Sequence, residues 1–192
     1  MNTKEVFMHE LDHYIYPHRV LHWLVALGVL LSLASGLTLG FLGFERTVAL
    51  IGESLTNGLY TAHKTLGIVL LLLMTLRIIT RLAFVVPDHD PPLNAFERLV
   101  STSVHHLLYL ALVVMPILGA LATATGGFPV QFFYWTLPSM IGENKALSET
   151  LFLWHERLGW AIILLITLHV SGALYHWWIK RDNVMKRMSL FD

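Results

Sequence analysis

No cysteine occurs anywhere in the 192 residues. That absence excludes disulfides, thiolate nucleophiles, iron–sulfur ligation and a haem attached through a CxxCH motif. Charge is also scarce. Asp, Glu, Lys and Arg make up 14% of the chain and balance to a net charge of zero, so no general basic field favours a nucleic acid. Hydrocarbon fills the remainder: 55% of the residues are hydrophobic and the mean hydropathy is +0.61, beyond the balance of a soluble domain. A crossing needs roughly 20 mostly apolar residues, so this length supplies about four crossings with short connections, as one compact membrane domain. The first residues, MNTKEVFMHELDHYIYPHR, are polar and mixed in charge, and the apolar run behind them lacks an Ala-x-Ala exit. The first crossing is therefore expected to stay in the protein and not to be removed as a signal peptide.

The expected fold is all-α, a transmembrane four-helix bundle with helices at about 17–42, 60–83, 98–124 and 151–180. Pro17 suits a first helical turn, Pro87, Pro91 and Pro92 break the chain after the second run, and Pro116 predicts a kink in the third. The charge-free centre of the second run, 65–76, is short, so Lys64 at one end and Arg77 and Arg81 at the other are expected to snorkel. Residues 43–60 read as a loop. The connector 125–149 reads as an aromatic segment along the membrane interface with a short helix near 143–150. With both ends on one face, that face holds Lys4, Arg19, Arg77, Arg81, Arg98, Lys180, Arg181, Lys186 and Arg187, against Arg46, Lys64, Lys145 and Arg157 on the other. This asymmetry places both termini in the cytoplasm. Trp135, Trp154, Trp177 and Trp178 fall where aromatic belts belong.

Eleven histidines are the unusual component. An imidazole buried in hydrocarbon without a partner is costly. In the fourth run, WHERLGWAIILLITLHVSGALYHWW, His155 and His169 are separated by about 21 Å along a helix axis and by only about 40° around it. They face one direction at two depths. Zinc would need its ligands converging on one point, whereas a haem takes one imidazole on each face, from neighbouring helices at matched depth. His63 opens the second helix level with His155, and His22 in the first matches His169. The spacing thus predicts two haems, an outer one between His63 and His155 and an inner one between His22 and His169.

His176, two turns beyond His169, is the second choice of inner ligand. Gly67, Gly159 and Gly172 each follow a ligand by about one turn, either to let a ring approach the backbone or to pack helices. Arg77 lies on the face of His63 at the inner depth, as a partner for a haem propionate or as a headgroup anchor. His105 and His106 point roughly 100° apart and cannot both face one iron. They are read either as a solvated interfacial pair or with one facing the bundle as a propionate or quinone partner. His9, His13, His18 and His89 fall in the tail or the polar connector and are expected in solvent.

PHRVLHWLVALGV at 17–29, YTAHKTLGIVLLLLMTLRIITRL at 60–82, HHLLYLALVVMPILG at 105–119 and WHERLGWAIILLITLHVSGALYH at 154–176 together resemble the prokaryotic cytochrome b561 family. Its members include a superoxide–ubiquinone oxidoreductase. The resemblance implies a multi-pass protein of the bacterial inner membrane with two non-covalent haem b groups and ubiquinone as substrate. By motif it assigns the ligands to His22 before Trp23, to His63, to His155 of WHE and to His169 of the later LH step, with Arg77 as the basic residue closing the second run. His105, His106 and His176 are the candidates beside a quinone. The function expected is membrane electron transfer between a periplasmic-side donor, superoxide among the candidates, and ubiquinone. No side chain is assigned to bond-making catalysis. Arg46 and Lys64 are offset by Glu45 and Glu53, so no outer basic patch is evident for steering an anion. The alternatives are a haem-bearing anchor that takes electrons from a partner dehydrogenase or hydrogenase, and a histidine-relay ion transporter. The transporter would want buried carboxylates that these runs lack.

Overall fold

The computed structural model describes residues 13–138 and 141–191. Lys4 and His9, used above, lie outside the described residues. The protein is an all-α bundle of four membrane-spanning helices: α1 (Tyr16–Ile51), α2 (Glu53–Ala83), α3 (Ala95–Thr125) and α4 (Lys145–Tyr175), the last continued by a π-helical turn, His176–Lys180. α1 packs on α2, α2 on α3 and α3 on α4, while α4 meets α1 and α2 mainly through side chains. Large apolar residues such as Leu27, Leu72, Leu110 and Leu164 cover the outside. On a soluble protein so much exposed hydrocarbon would aggregate, and in a bilayer it meets a matching solvent.

The centre of the bundle holds an apolar layer. Val25 and Val29 of α1, Leu70 and Met74 of α2, Ala111 of α3 and Ile162 of α4 form one contiguous cluster, with Met74 and Ile162 only 2% and 1% exposed. Gly28 permits the α1–α2 contact, because a Cβ there would lie 2.8 Å from Leu70 Cδ2.

Residues 43–60, expected as a loop, are helical on both sides of Gly52. Within α1, Gly43 adopts φ 69°, ψ 176°, non-helical values at a kink where two helical runs meet, a conformation open to a residue lacking Cβ. Gly52, at φ 81°, then turns the chain into α2. The buried hydroxyls of Thr47 and Thr56 donate to the carbonyls of Gly43 and Gly52, at 2.6 and 2.8 Å, and tie each new arm to its hinge.

The connector after α3 is also corrected. It forms an antiparallel hairpin, β1 (Val130–Phe132) and β2 (Trp135–Leu137), seated on α2. Thr61 Oγ1 donates to Gln131 Oε1, and the Phe133 amide donates to Thr65 Oγ1, both at 2.9 Å. Lys64 does not snorkel freely, because its ammonium donates to the Pro129 carbonyl at 2.9 Å. The short helix expected near 143–150 is the first part of α4, started by Asn144, whose side chain accepts the Leu147 amide. α3 begins with a capping box between Asn94 and Glu97 and runs continuously through Pro116. Glu97 also accepts Lys180 Nζ at 2.8 Å, joining the start of α3 to the end of α4.

Both described ends meet at one end of the bundle. The Tyr14 amide donates to the Arg187 carbonyl at 3.1 Å, Trp23 Nε1 to the Met188 carbonyl at 2.9 Å, and Arg19 to the Ser189 carbonyl at 2.6 Å. This packing alters two expectations of exposure. His18 is buried, with 2% of its surface exposed, and His89 is half-buried in the α2–α3 connector.

Burial pushes His89 down to about 4 from its ordinary 6.5, helped by Arg187 and His176 and opposed by Asp182 and Asp88. A depressed folded value means that the stability this neutral ring contributes is present above pH 6.5 and is lost as pH falls toward 4. The Tm of the detergent-solubilised protein should therefore fall across that window. His89→Gln should lose part of the slope, and an unchanged slope would show that His89 is not the titrating group.

Candidate functional site

α4 carries one member of each of two imidazole pairs. Near the hairpin, the ring centroids of His63 and His155 are 6.2 Å apart; near the termini, those of His22 and His169 are 6.1 Å apart. A first-row metal bonds imidazole nitrogen at about 2 Å, and that nitrogen lies about 1 Å from its ring centroid, so two imidazoles on opposite sides of one iron have centroids about 6 Å apart. Both pairs match that spacing. Their interplanar angles of 81° and 64° are compatible with it, since each ring plane contains the common axis and is free to rotate about it.

The pair near the hairpin is held from behind. His63 Nδ1 lies 2.9 Å from Ser35 Oγ, and His155 Nδ1 lies 3.0 Å from the Met115 carbonyl. Each ring also rests on a glycine of the neighbouring helix. A Cβ on Gly36 would lie 2.9 Å from His63 Cε1, and one on Gly119 would lie 2.9 Å from His155 Cε1. The glycines singled out in the sequence do something else: Gly67 faces Pro116 and Gly159 faces Met115 at ordinary packing distances, and Gly172 faces open space. These helix contacts follow the packing alternative.

Near the termini, a third ring joins the pair. The centroid of His105 lies 5.1 Å from that of His169, and His105 Nδ1 donates to the Ser101 carbonyl at 2.6 Å. His106 is exposed on the adjacent face. Arg77 is turned into the bundle. It is 8% exposed, donates to the His18 carbonyl at 3.1 Å, and lies with its guanidinium carbon 5.9 Å from the Tyr109 ring centroid. Among the described residues no carboxylate pairs with it. A buried cation without a counter-charge is costly, so this position suits an anionic group supplied by a ligand. His18, one helical turn from His22, bonds Thr80 Oγ1 through Nδ1 at 2.9 Å.

His176 belongs to neither pair. It donates through Nδ1 to Asp182 Oδ2 at 2.5 Å, beside a cavity of about 410 Å³ lined by Trp177, Trp178, Arg181, Asp182, Met185 and Lys186. Asp182, Ser35, Gly36, Gly119 and the Met115 carbonyl are site residues that the sequence did not reveal. Each acts across the bundle or around a turn, with no spacing that connects it to a histidine. Paired imidazoles at two levels, with a buried guanidinium at one of them, fit the donor set of two bis-histidine haems.

The family model described as prokaryotic cytochrome b561 matches residues 13–189. Cytochrome b561 homolog 2 of Escherichia coli (strain K12) is 30% identical over 127 residues, 66% of this chain and 68% of that protein. Cytochrome b561 homolog 1 of the same organism is 28% identical over 170 residues, covering 88% and 92% of the two chains. The probable superoxide oxidase CybB of Yersinia pestis is 27% identical over 168 residues, covering 88% and 90%.

Proposed function

Since the chain belongs to the prokaryotic cytochrome b561 family, we propose that it moves electrons between a donor at its hairpin end and ubiquinone, through two haem b groups. Membership makes it a multi-pass inner-membrane protein with a membrane electron-transfer role, and haem b comes with the family. The observation that carries the finer reading is the pair of centroid spacings, 6.2 and 6.1 Å, at two levels of one bundle. His63 and His155 would hold one haem, and His22 and His169 the other. Bound there, haem b would supply one-electron transfer, and an iron held by two imidazoles would keep no position for a substrate. Arg77 would receive a propionate of the haem between His22 and His169.

The basic asymmetry supports a cytoplasmic location for the end that holds both termini, which turns the hairpin toward the periplasm. Ubiquinone reduction needs protons as well as electrons. His176, oriented by Asp182 beside the 410 Å³ cavity, is the favoured proton donor. His105, exposed next to His169, is the second candidate and His106 the third. The relative from Yersinia pestis supports superoxide as the donor: two superoxide ions giving two dioxygen molecules would supply the two electrons that, with two protons, make ubiquinol.

The test is a haem-to-protein ratio with a dithionite-reduced minus oxidised spectrum, followed by reoxidation with a ubiquinone analogue. Two haems per chain that ubiquinone reoxidises are expected. A colourless protein or a single haem at saturation would end the di-haem reading. Haems that reduce only with a bound partner enzyme would replace superoxide by that partner.

A further inference from the structure

A serine hydroxyl has one proton to give and can also accept. With the Nε2 lone pair of His63 given to iron, the ring proton sits on Nδ1, and Ser35 Oγ, 2.9 Å away, is placed to accept it while its own proton turns to the carbonyl of Leu31 or Ser32, each at 3.0 Å. The Met115 carbonyl is an acceptor by nature and selects the same tautomer of His155, at 3.0 Å. Both rings of this pair arrive with Nε2 free and with their orientation fixed.

The pair near the termini is built otherwise. Among the described residues no oxygen acceptor engages His22 or His169. Their surroundings are the His105 ring and the buried guanidinium of Arg77, bonded one helical turn from His22. A ligand imidazole whose N–H donates to oxygen is more basic at its other nitrogen and favours the oxidised metal. A buried positive charge favours the state with the extra electron. Both differences act in one direction.

We propose that Ser35 is a positioning residue for the iron held by His63 and His155 and that, together with the Met115 carbonyl, it sets this centre at the lower potential of the two. Electrons received at the hairpin end then run downhill toward the termini. The inference rests on the di-haem reading, and the two fail differently. A parent protein without two haems overturns both, whereas two haems in the reverse order of potential overturn only this one.

The experiment is a redox titration of the purified holoprotein, followed in the visible spectrum, on the parent, Ser35→Ala, Ser35→Thr and His169→Ala. His169→Ala serves for assignment, since the haem that it retains should titrate at the lower potential. Ser35→Ala should raise the lower step about tenfold in its one-electron equilibrium constant, about 59 mV, and leave the upper step in place. Ser35→Thr, which keeps the hydroxyl, should restore it. A lower step unmoved by Ser35→Ala, or a His169→Ala haem at the upper potential, would overturn the proposal. If Ser35→Ala does not accumulate, the His169→Ala potential alone decides.

Discussion

Replacing His169 by alanine is expected to leave a protein that binds one haem where the parent binds two. His22 would then face its ring alone, at a level where its partner had stood 6.1 Å away. Loss of a metal's own ligand should exceed the roughly 10–100-fold that loss of a supporting hydrogen bond costs. His155→Ala should remove the other haem, and because α4 supplies one imidazole to each pair, the double variant should bind none. His176→Ala should keep two, since that ring is turned to Asp182 and lies outside both pairs. Haem per protein and the reduced-minus-oxidised spectrum read all four variants. Retention of two haems by His169→Ala would pass the ligand role to His176.

A methyl group at Gly119 should be nearly as damaging as loss of the histidine it faces. The added Cβ would sit 2.9 Å from Cε1 and 3.1 Å from Nδ1 of His155, and the ring cannot swing aside without leaving the Met115 carbonyl. Overpacking of this kind costs about 1–3 kcal/mol, which corresponds to about 5- to 150-fold in affinity. Gly119→Ala and Gly36→Ala should each deplete the haem near the hairpin and spare the other. Gly172→Ala, where nothing lies within 4 Å of the added carbon, is the matched control. Equal loss at both levels would mean that these glycines serve general packing and not the imidazoles.

The histidines of α4 were legible because helix geometry is local: rise and rotation per residue alone put His155 and His169 on one face at two depths. Pairing them with His63 and His22 needed only the membrane, which fixes the level of a residue from its distance to the helix end. The supports behind the rings were not legible. Ser35 and Gly36 meet His63 across the α1–α2 contact, and Gly119 meets His155 across α3–α4, so no periodicity relates them. Arg77 could be read as a propionate partner or as a headgroup anchor, because it stands near a helix end on the face of His63. Its burial depends on an acceptor from another helix, the His18 carbonyl. His18 looked like tail, and part of what covers it is tertiary, since Thr80 Oγ1 of α2 lies 2.9 Å from its Nδ1. Gly43 and Gly52 read as loop residues, and both are non-helical breaks, but the residues between and after them form helix. The strands of the hairpin, three residues each, are too short for an alternating pattern to show.

Between the two histidine levels stands the layer of Val25, Val29, Leu70, Met74, Ala111 and Ile162, and none of these six side chains can pass on a proton. Negative charge crossing that layer travels uncompensated, so the membrane voltage acts on it directly. A full crossing is worth about 2.3 kcal/mol per elementary charge for each 100 mV, and a partial one proportionally less. With a donor on one face and proton uptake from the other, turnover would build or spend voltage, and its rate would depend on how strongly the cell is energised.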